Sequence, residues 1–411
     1  MSIQSENLQL SFLSNVIVIG GGRWARIFLE VLSQILPSSV KITACSPRNK
    51  EGLSSWASLN GLYNRIQFFS EYPSLAVGET TVAIIANAAC DHENAIRWAL
   101  LNRLPVLVEK PVTLSYESTN EMIELAIKQN THLSAAHVFL FANYIDNFYK
   151  ILGESEYIET IDVKWEDPQS EMRYGAFKSY DSGLPIYADL LPHITSILGL
   201  FSSEPFKLKD NLRVLKGGSH LKANILLGKI LCRIELIRNS NSRKRLIDVT
   251  IDSKKISLDF SEEPGFILCE NIIKNADINW NNDQKPVYKM LQTFLIACNK
   301  SLPDKRLDIK LGLLANQLID QVSSKYYDKL SSWLIKEWSE SDDLEFRYAA
   351  SEFLIADNPN SSIPLDQRIN FFKKSINNFL SLSSNLKNDK TSLEVVNKIL
   401  KQGKELTYAN Y

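Results

Sequence analysis

The sequence contains 411 residues, of which 45% are apolar and 23% charged, which allows more than one buried core and excludes wholesale disorder. With 46 basic and 47 acidic side chains, the net charge of −1 excludes a positive field broad enough to hold a nucleic acid or an anionic membrane. Five scattered cysteines without a CxxC pair predict neither a disulfide framework nor a metal site. Because no signal peptide and no apolar run of about 20 residues occurs, we expect a cytoplasmic protein without a membrane span.

Residues 1–131 alternate short apolar runs with helical patterns. Strands are expected at residues 16–19, 40–45, 82–86 and 105–108, and helices at residues 26–36, 95–101 and 119–128. Continuous apolar strands separated by helices are typical of βαβ units, whose parallel sheet is buried on both faces. We therefore predict an α/β domain over residues 1–131.

Residues 132–323 have a different pattern, in which strand-like runs follow one another with short turns. These runs lie at residues 157–165, 223–238, 246–251 and 255–260. Consecutive strands of this kind indicate antiparallel pairing and an α+β domain. Between the first two runs, Pro185 begins a predicted helix that extends to residue 200.

Residues 324–411 are predicted to form a helical extension. Apolar side chains recur every four residues from Leu314 to Trp338, which indicates one long amphipathic helix. A second helix is expected at residues 365–379, and a capping box between Thr391 and Glu394 begins a third. We expect the extension either to cover an open sheet face or to form an oligomer contact.

Three glycines follow the first predicted strand in a GxGxxA pattern. Gly20 permits a tight turn, Gly22 lets the backbone approach a pyrophosphate, and Ala25 lets the next helix pack closely on the sheet. Arg23 and Trp24 lie at the start of that helix, whose free N–H groups can bind phosphates. The alternative is a glycine-rich turn in an ordinary α/β fold. The strand before and the helix after favour a Rossmann dinucleotide-binding domain.

The end of the second predicted strand indicates which dinucleotide binds. NAD sites usually carry an acidic residue there, which bonds the ribose 2′-hydroxyl. This chain has Ser46 and Arg48 instead, and no acidic residue occurs before Glu51. Because Ser46 and Arg48 can hold a 2′-phosphate, we predict NADP as the cofactor. NAD stays possible if Arg48 is only a solvated loop charge.

A second motif, Glu109-Lys110-Pro111, follows the strand predicted at residues 105–108. Open α/β sheets bind their ligands at the carboxyl ends of such strands. Together with the glycine turn, the motif resembles the Gfo/Idh/MocA family of oxidoreductases, over roughly residues 14–323. The resemblance implies a dinucleotide-binding domain, an α/β domain with a large, mostly antiparallel sheet, and the interconversion of alcohols and ketones on sugars, cyclitols and related compounds.

The family's other motif is an Asp followed four residues later by a His, which here is Asp189 and His193. This spacing places both side chains on one helix face. The resemblance implies that Lys110, Asp189 and His193 form the catalytic group. Histidine suits proton transfer near neutral pH, and a lysine ammonium can polarise the reacting oxygen while the aspartate orients these groups.

Further residues are predicted from the resemblance or from their position. The resemblance implies that Asn87 borders the nicotinamide ribose and that His92 and Glu109 join Lys110 at the cofactor. The alternative for His92 is that it only caps or orients the following helix. The predicted substrate contacts are His137, Tyr174 and Tyr187. An apolar run at residues 138–141 stands where sugar-acting members often have an arginine, which favours a less polar substrate. The acidic pairs at residues 166–167 and 262–263 are interpreted as solvated charges.

The sequence therefore favours an NADP-dependent oxidoreductase that acts on a hydroxyl or ketone carbon of a sugar-like small molecule. We expect a homo-oligomer, dimer or tetramer, without a nucleic-acid or membrane partner. One alternative is an imine (C=N) reductase of a secondary-metabolite or siderophore-type pathway. The other is a non-catalytic dinucleotide-binding regulator or scaffold, against which the presence of Lys110, Asp189 and His193 argues.

Overall fold

The computed structural model describes residues 10–153, 158–173, 176–178, 183–299, 304–337, 343–358, 361–382 and 391–408. Its first strands are β1 (Asn15–Ile19), β2 (Lys41–Cys45), β3 (Ile66–Phe69), β4 (Thr81–Ile85), β5 (Val106–Val108) and β6 (Leu133–Ala135). The helices among them are α1 (Arg23–Ile35), α2 (Lys50–Leu59), α3 (His92–Leu101) and α4 (Tyr116–Lys128). The strands form one six-stranded sheet in the order β3-β2-β1-β4-β5-β6, and every pair is parallel.

The predicted α/β domain is confirmed, and the order of its strands reverses between β1 and β4. Apolar cores lie on both faces of the sheet, as the continuous apolar strands predicted. Strands β3 and β6 were not predicted, because each is short and neither has a clear apolar run. Since β6 pairs with β5, the sheet extends past the predicted boundary at residue 131.

The second domain is built on a larger sheet. Its strands are β7 (Thr160–Pro168), β10 (Phe206–Leu208), β11 (Arg213–Leu215), β12 (His220–Leu227), β13 (Ile230–Ser240), β14 (Lys244–Ile251), β15 (Lys254–Asp259), β16 (Phe266–Cys269) and β17 (Ile272–Asn275). A separate hairpin pairs β8 (Glu171–Arg173) with β9 (Ala176–Lys178). The main order is β10-β12-β13-β7-β14-β15-β16-β17, with β11 paired to β12.

Antiparallel pairing dominates this sheet, as predicted, but β13 and β7 pair in parallel. The prediction of a single strand over residues 223–238 is wrong. It is two strands, β12 and β13, joined by a turn at Gly228. Along both strands, buried and more exposed residues alternate, so that one sheet face packs in a core.

The remaining helices are α5 (Asn143–Leu152), α6 (Ile186–Leu198), α7 (Pro286–Ala297), α8 (Ile309–Lys336), α9 (Asp343–Asp357), α10 (Leu365–Leu382) and α11 (Ser392–Tyr408). The capping box is confirmed: the Thr391 N–H donates to Glu394 at 3.0 Å and the Glu394 N–H to Thr391 at 3.3 Å. Helices α5, α7 and α9 were not predicted. Helix α7 packs against α1 and so returns the chain to the first domain.

The C-terminal helices belong to the core of the second domain. Residues of α8, α9, α10 and α11 share one buried apolar cluster with α6 and with the inner face of the large sheet. Examples are Leu334, Phe346, Phe372 and Val396, all of which are buried. The extension therefore covers a sheet face, one of the two arrangements expected. No helix in the described part of the chain is long and apolar enough to cross a membrane.

Candidate active site

A cleft of about 750 Å³ opens at the carboxyl ends of β1, β2, β4 and β5 and continues toward the large sheet. The predicted site residues on its wall are Gly20, Gly22, Arg23, Trp24, Ser46, Arg48, Asn87, His92, Glu109, Lys110, Asp189 and His193. The fold therefore brings the predicted cofactor and catalytic residues to one continuous surface. This position is where open α/β sheets bind ligands.

The glycine turn has the geometry that a pyrophosphate requires. Gly20 has φ +142°, its N–H donates to the Cys45 carbonyl at 2.8 Å, and a Cβ there would lie 2.4 Å from the Ala86 carbonyl oxygen. Gly22 precedes α1 without a side-chain cap, and a Cβ on it would meet nothing within 4 Å. Ala25 is fully buried under the turn, as predicted. Uncapped N–H groups at a helix start, next to open space, fit a dinucleotide phosphate.

The loop after β2 faces the carboxylate of Asp91, which the sequence pattern did not indicate as part of the site. Ser46 is buried, whereas the Arg48 side chain is 65% exposed and forms an ion pair with Asp91, which precedes α3. Because Arg48 and Asp91 come from loops after different strands, their pair joins two sides of the cleft. A phosphate bound by Arg48 would have to compete with Asp91.

The loop after β4 is held in place by His92. Its Nδ1 lies 2.7 Å from the Pro111 carbonyl oxygen and its Nε2 lies 3.2 Å from the Asn87 carbonyl oxygen. Burial lowers the pKa of His92, so the ring is neutral and donates one of these bonds. The Asn87 amide donates to the Asp91 carbonyl at 3.2 Å, while its Oδ1 is buried and has no hydrogen-bond partner among the described residues. An orphaned acceptor on the wall fits a ligand that donates to it.

Lys110 and Asp189 form the centre of the site. The Lys110 ammonium donates to Asp189 Oδ1 at 2.5 Å and to the Asp189 carbonyl at 2.9 Å. Arg238, which was not predicted, donates from Nη2 to Asp189 Oδ2 at 3.0 Å and from Nη1 to the Leu184 carbonyl at 2.8 Å. The carboxylate thus lies between two cations, an arrangement that favours its ionised form.

Glu109 lies beside Lys110 and is 4% exposed. One of its oxygens accepts the Lys110 backbone N–H at 2.9 Å. Burial raises the pKa of Glu109 to about 7, against the opposing effect of the Lys110 charge. Its carboxyl group therefore changes protonation near neutral pH within the cleft wall.

His193 lies on the cleft wall among aromatic rings, one helical turn after Asp189. Its ring stacks on Trp165 with centroids 5.8 Å apart and a 12° interplanar angle, and Phe139 contacts it edge-on at 5.0 Å. Tyr144 lines the same region and donates its hydroxyl to Glu263 at 2.8 Å. These rings fix the plane of the imidazole and form an aromatic wall.

Buried charges accompany this aromatic wall. Arg245 is 3% exposed, stacks over Trp165 with its guanidinium carbon 4.1 Å from the ring centre, and forms an ion pair with the buried Asp167. Both line the cleft together with Glu263. The interpretation as solvated charges is therefore wrong for the buried Glu166 and Asp167 and for the half-buried Glu263, whereas Glu262 is exposed. The cleft is also more polar than the apolar run at residues 138–141 indicated.

Two of the predicted substrate contacts, His137 and Tyr187, do not line the cleft. His137 is buried in the turn after β6, where burial lowers its pKa to about 4. Tyr187 is buried against Tyr326, at 4.8 Å between ring centroids. Residues two apart on a helix point in different directions, so Asp189 faces the cleft while Tyr187 faces α8. Tyr174 lies outside the described residues.

Within the described residues, no group of three or more His, Cys, Asp and Glu side chains is placed to hold a metal ion.

Comparisons with known proteins agree with the dinucleotide site. Residues 14–137 match an oxidoreductase family with an NAD-binding Rossmann fold. Human biliverdin reductase A is 34% identical over 125 residues, which is 30% of this chain and 40% of that enzyme. The match thus spans less than half of the reductase.

Two solved structures share the fold over both domains. A UDP-N-acetylglucosamine 3-dehydrogenase from Acidithiobacillus ferrooxidans has a TM-score of 0.63 and 17% identity, covering 77% of this chain and 99% of its own. A 3-ketoreductase from Actinomadura kijaniata, solved with TDP-benzene and NADP, has a TM-score of 0.61 and 15% identity, covering 76% and 97%. At these identities the likeness shows the fold alone.

Proposed function

We propose that this chain is an NADP-dependent oxidoreductase. The match of residues 14–137 to the Gfo/Idh/MocA family of NAD-binding oxidoreductases supports the proposal. The proposed substrate is a sugar-like or related small molecule, oxidised or reduced at a hydroxyl- or keto-bearing carbon. The observation that carries the proposal is that Lys110, Asp189 and His193 line the same cleft as the glycine turn.

The residues at the sheet edge fit the dinucleotide. The turn from Gly20 to Gly22 and the start of α1 would hold the pyrophosphate, and Ser46 with Arg48 the adenosine end. Asn87 and Lys110 would lie at the nicotinamide end. When bound, the nicotinamide accepts or supplies the hydride, and the protein supplies orientation and proton transfer.

Each catalytic residue has a role that follows from its contacts. The Lys110 ammonium, fixed by Asp189, can donate a hydrogen bond to the reacting oxygen and stabilise negative charge on it. Asp189 is held by Lys110 and Arg238, so it orients the lysine rather than exchanging protons itself. His193, whose plane is fixed by Trp165, is the group that gives a proton to the oxygen or takes one from it.

The preference for NADP over NAD depends on Arg48. Ser46 and Arg48 stand where NAD sites usually have an acidic residue, and the carboxylate nearby, Asp91, is already paired with Arg48. A fluorescence titration should show tighter binding of NADPH than of NADH, and Arg48→Ala should weaken only the NADPH complex. Tighter binding of NADH to the native protein would overturn the preference.

The activity is tested by a substrate screen that follows NADPH absorbance. Keto sugars and sugar nucleotides are offered in the reducing direction, and the corresponding alcohols with NADP⁺ in the oxidising direction. We expect turnover with a member of this class and a loss of about 100-fold or more in Lys110→Ala, the scale of losing one preorganised donor. Equal turnover by Lys110→Ala would contradict the assigned role.

A second candidate reaction is reduction of a C=N bond. The observation that favours it is the aromatic wall of Phe139, Tyr144 and Trp165, which suits a flat unsaturated substrate. Adding cyclic imines to the same screen distinguishes the two reactions. Turnover of imines without turnover of any ketone would favour the imine reductase.

A further inference from the structure

The loop that follows Lys110 is held by the long helix α8. Residues 111–115 lead from Lys110 to the start of α4, and three positions on α8 contact this stretch: Gly312, Asn316 and Asp320. These positions are four residues apart and therefore lie on one face of the helix. The helix thus packs along the whole loop rather than touching it at one point.

Asn316 lies at the centre of this contact and is fully buried. Its amide nitrogen donates to the Thr113 carbonyl at 2.9 Å, the Ser115 carbonyl at 3.0 Å and the Thr119 hydroxyl at 2.8 Å. Carbonyl oxygens can only accept, so this position requires a donor. The Asn316 Oδ1 is also buried and has no hydrogen-bond partner in the part of the chain that the structure describes. The amide hydrogens therefore satisfy the loop at the cost of one unpaired acceptor.

The flanking contacts of α8 reach the same stretch of backbone. Gly312 is buried against Val112, since a Cβ on the glycine would lie 2.5 Å from Val112 Cγ2. Two turns further along α8, an Asp320 carboxylate oxygen accepts the Tyr116 backbone N–H at 2.9 Å, at the start of α4. Val112 is itself buried and lies two residues after Lys110. The position of α8 therefore fixes the backbone next to the lysine.

The same helix also packs against α6, which carries Asp189 and His193. Apolar side chains of α6 and α8 share one core, and the rings of Tyr187 and Tyr326 lie 4.8 Å apart between centroids. The Lys110 ammonium reaches Asp189 from the first domain, at 2.5 Å. Because α8 contacts both the loop after Lys110 and α6, it relates the two halves of the candidate catalytic group to each other.

We propose that Asn316 is a positioning residue of the candidate active site: by binding the loop after Lys110, it sets the Lys110 ammonium against Asp189. The proposal rests on the proposed function and gives α8 a part in it. His92 holds the beginning of the loop within the first domain, at the Pro111 carbonyl. Asn316 holds the end of the loop from the helix that packs on α6, so the loss of its donor lets Lys110 move relative to Asp189.

The test is a double-mutant cycle of Asn316→Leu with Lys110→Met on the full chain, measured by urea unfolding. Leucine has nearly the shape of asparagine but lacks the donor. Substitutions that act independently have additive effects on stability. If Asn316 holds Lys110 against Asp189, Lys110→Met should lower the unfolding midpoint less in the Asn316→Leu chain than in the native chain. Equal displacements of the midpoint in the two chains would overturn the positioning role.

Gln321→Leu is the matched control, because it removes an amide from the same helix. The Gln321 side chain accepts from the Leu208 N–H at 2.8 Å and donates to the Phe206 carbonyl at 3.1 Å, so it binds β10 and not the loop. Lys110→Met should displace the midpoint equally in the Gln321→Leu and native chains. A displacement reduced as much by Gln321→Leu as by Asn316→Leu would indicate a general loosening of α8 and overturn the specific role of Asn316.

Turnover supplies a second readout. In Asn316→Leu, kcat should fall by up to about 100-fold, the scale of a small misplacement of a reacting group, while the Kd for NADPH stays unchanged. A kcat equal to that of the native chain would overturn the role. Unfolding needs no turnover, so the two proposals are separable. Non-additive midpoints in a chain that turns over no substrate would uphold the positioning and count against the proposed reaction.

Gly312→Ala keeps the proposal testable if Asn316→Leu does not fold. Alanine favours the helix, and its Cβ would press on Val112 Cγ2 without removing a hydrogen bond. We expect the midpoint displacement caused by Lys110→Met to be smaller in the Gly312→Ala chain than in the native chain. An equal displacement would overturn the proposal.

Discussion

The strongest energetic consequence of the site concerns Asp189, which lies between two cations. The side chains of Lys110, Asp189 and Arg238 are 10%, 20% and 5% exposed. Asp189→Asn removes the only carboxylate in direct contact with both cations in the described structure and leaves them facing a neutral amide. Removing one partner of a buried ion pair costs about 3–5 kcal/mol. We expect the free energy of unfolding to fall by that amount.

Lys110→Met provides the matched comparison. It removes one cation but leaves Asp189 paired with Arg238, so a neutral pair stays in place. The free energy of unfolding should fall by only about 1–3 kcal/mol, because no charge is left unpaired and only Oδ1 and the backbone carbonyl of Asp189 each lose one donor. Both variants should lose turnover, so activity alone does not separate them.

The assay is urea unfolding of both variants and the native protein at pH 8, followed by circular dichroism. We expect the unfolding midpoint of Asp189→Asn to lie below that of Lys110→Met, with similar slopes. If Lys110→Met is the less stable of the two, the position of Asp189 between two cations does not govern the energetics of the site, and the reasoning is refuted.

Two further outcomes follow from burial. Because burial raises the pKa of Glu109 from 4.5 to about 7, its contribution to stability is fully present below pH 4.5 and is lost as pH rises through about 7. Glu109→Gln should therefore reduce the loss of stability between pH 4.5 and 7 by up to about 3 kcal/mol. The measurement is urea unfolding at several pH values. An unaltered pH dependence of the unfolding free energy would contradict the burial argument. A chain ending at residue 323 should lack a cooperative thermal transition. It loses buried aromatic side chains such as Trp333, Phe346 and Phe372, and loss of each such side chain costs about 3–5 kcal/mol of stability. A sharp transition in that shortened chain, seen by calorimetry, would show that the C-terminal helices are dispensable.

Local motifs made much of the site predictable from the sequence. The turn from Gly20 to Ala25 and the lysine after β5 each combine a short motif with a preceding strand, and the sheet edge brings the two together. Asp189 and His193 share a helix, so their spacing alone places them on one side. Such residues are recognisable because sequence distance and spatial distance are linked within a single turn or helix.

The missed residues depend on pairings between distant parts of the chain. Arg238 lies 49 residues from Asp189, and Arg245 lies 78 from Asp167. Their neighbours are set by the parallel pairing of β13 with β7 and the antiparallel pairing of β14 with β7, which strand patterns do not specify. A signal was nonetheless present: Arg238 continues the alternation of buried residues through Ile234 and Leu236, and an arginine on that face needs a buried anion.

The most direct test of the central claim is a titration of the full chain with NADPH, followed by nicotinamide fluorescence. The glycine turn predicts saturable binding of one molecule per chain. Gly20→Ala should abolish this binding, because the added Cβ would lie 2.4 Å from the Ala86 carbonyl oxygen at a φ of +142°. A native chain that binds neither NADPH nor NADH would contradict the account.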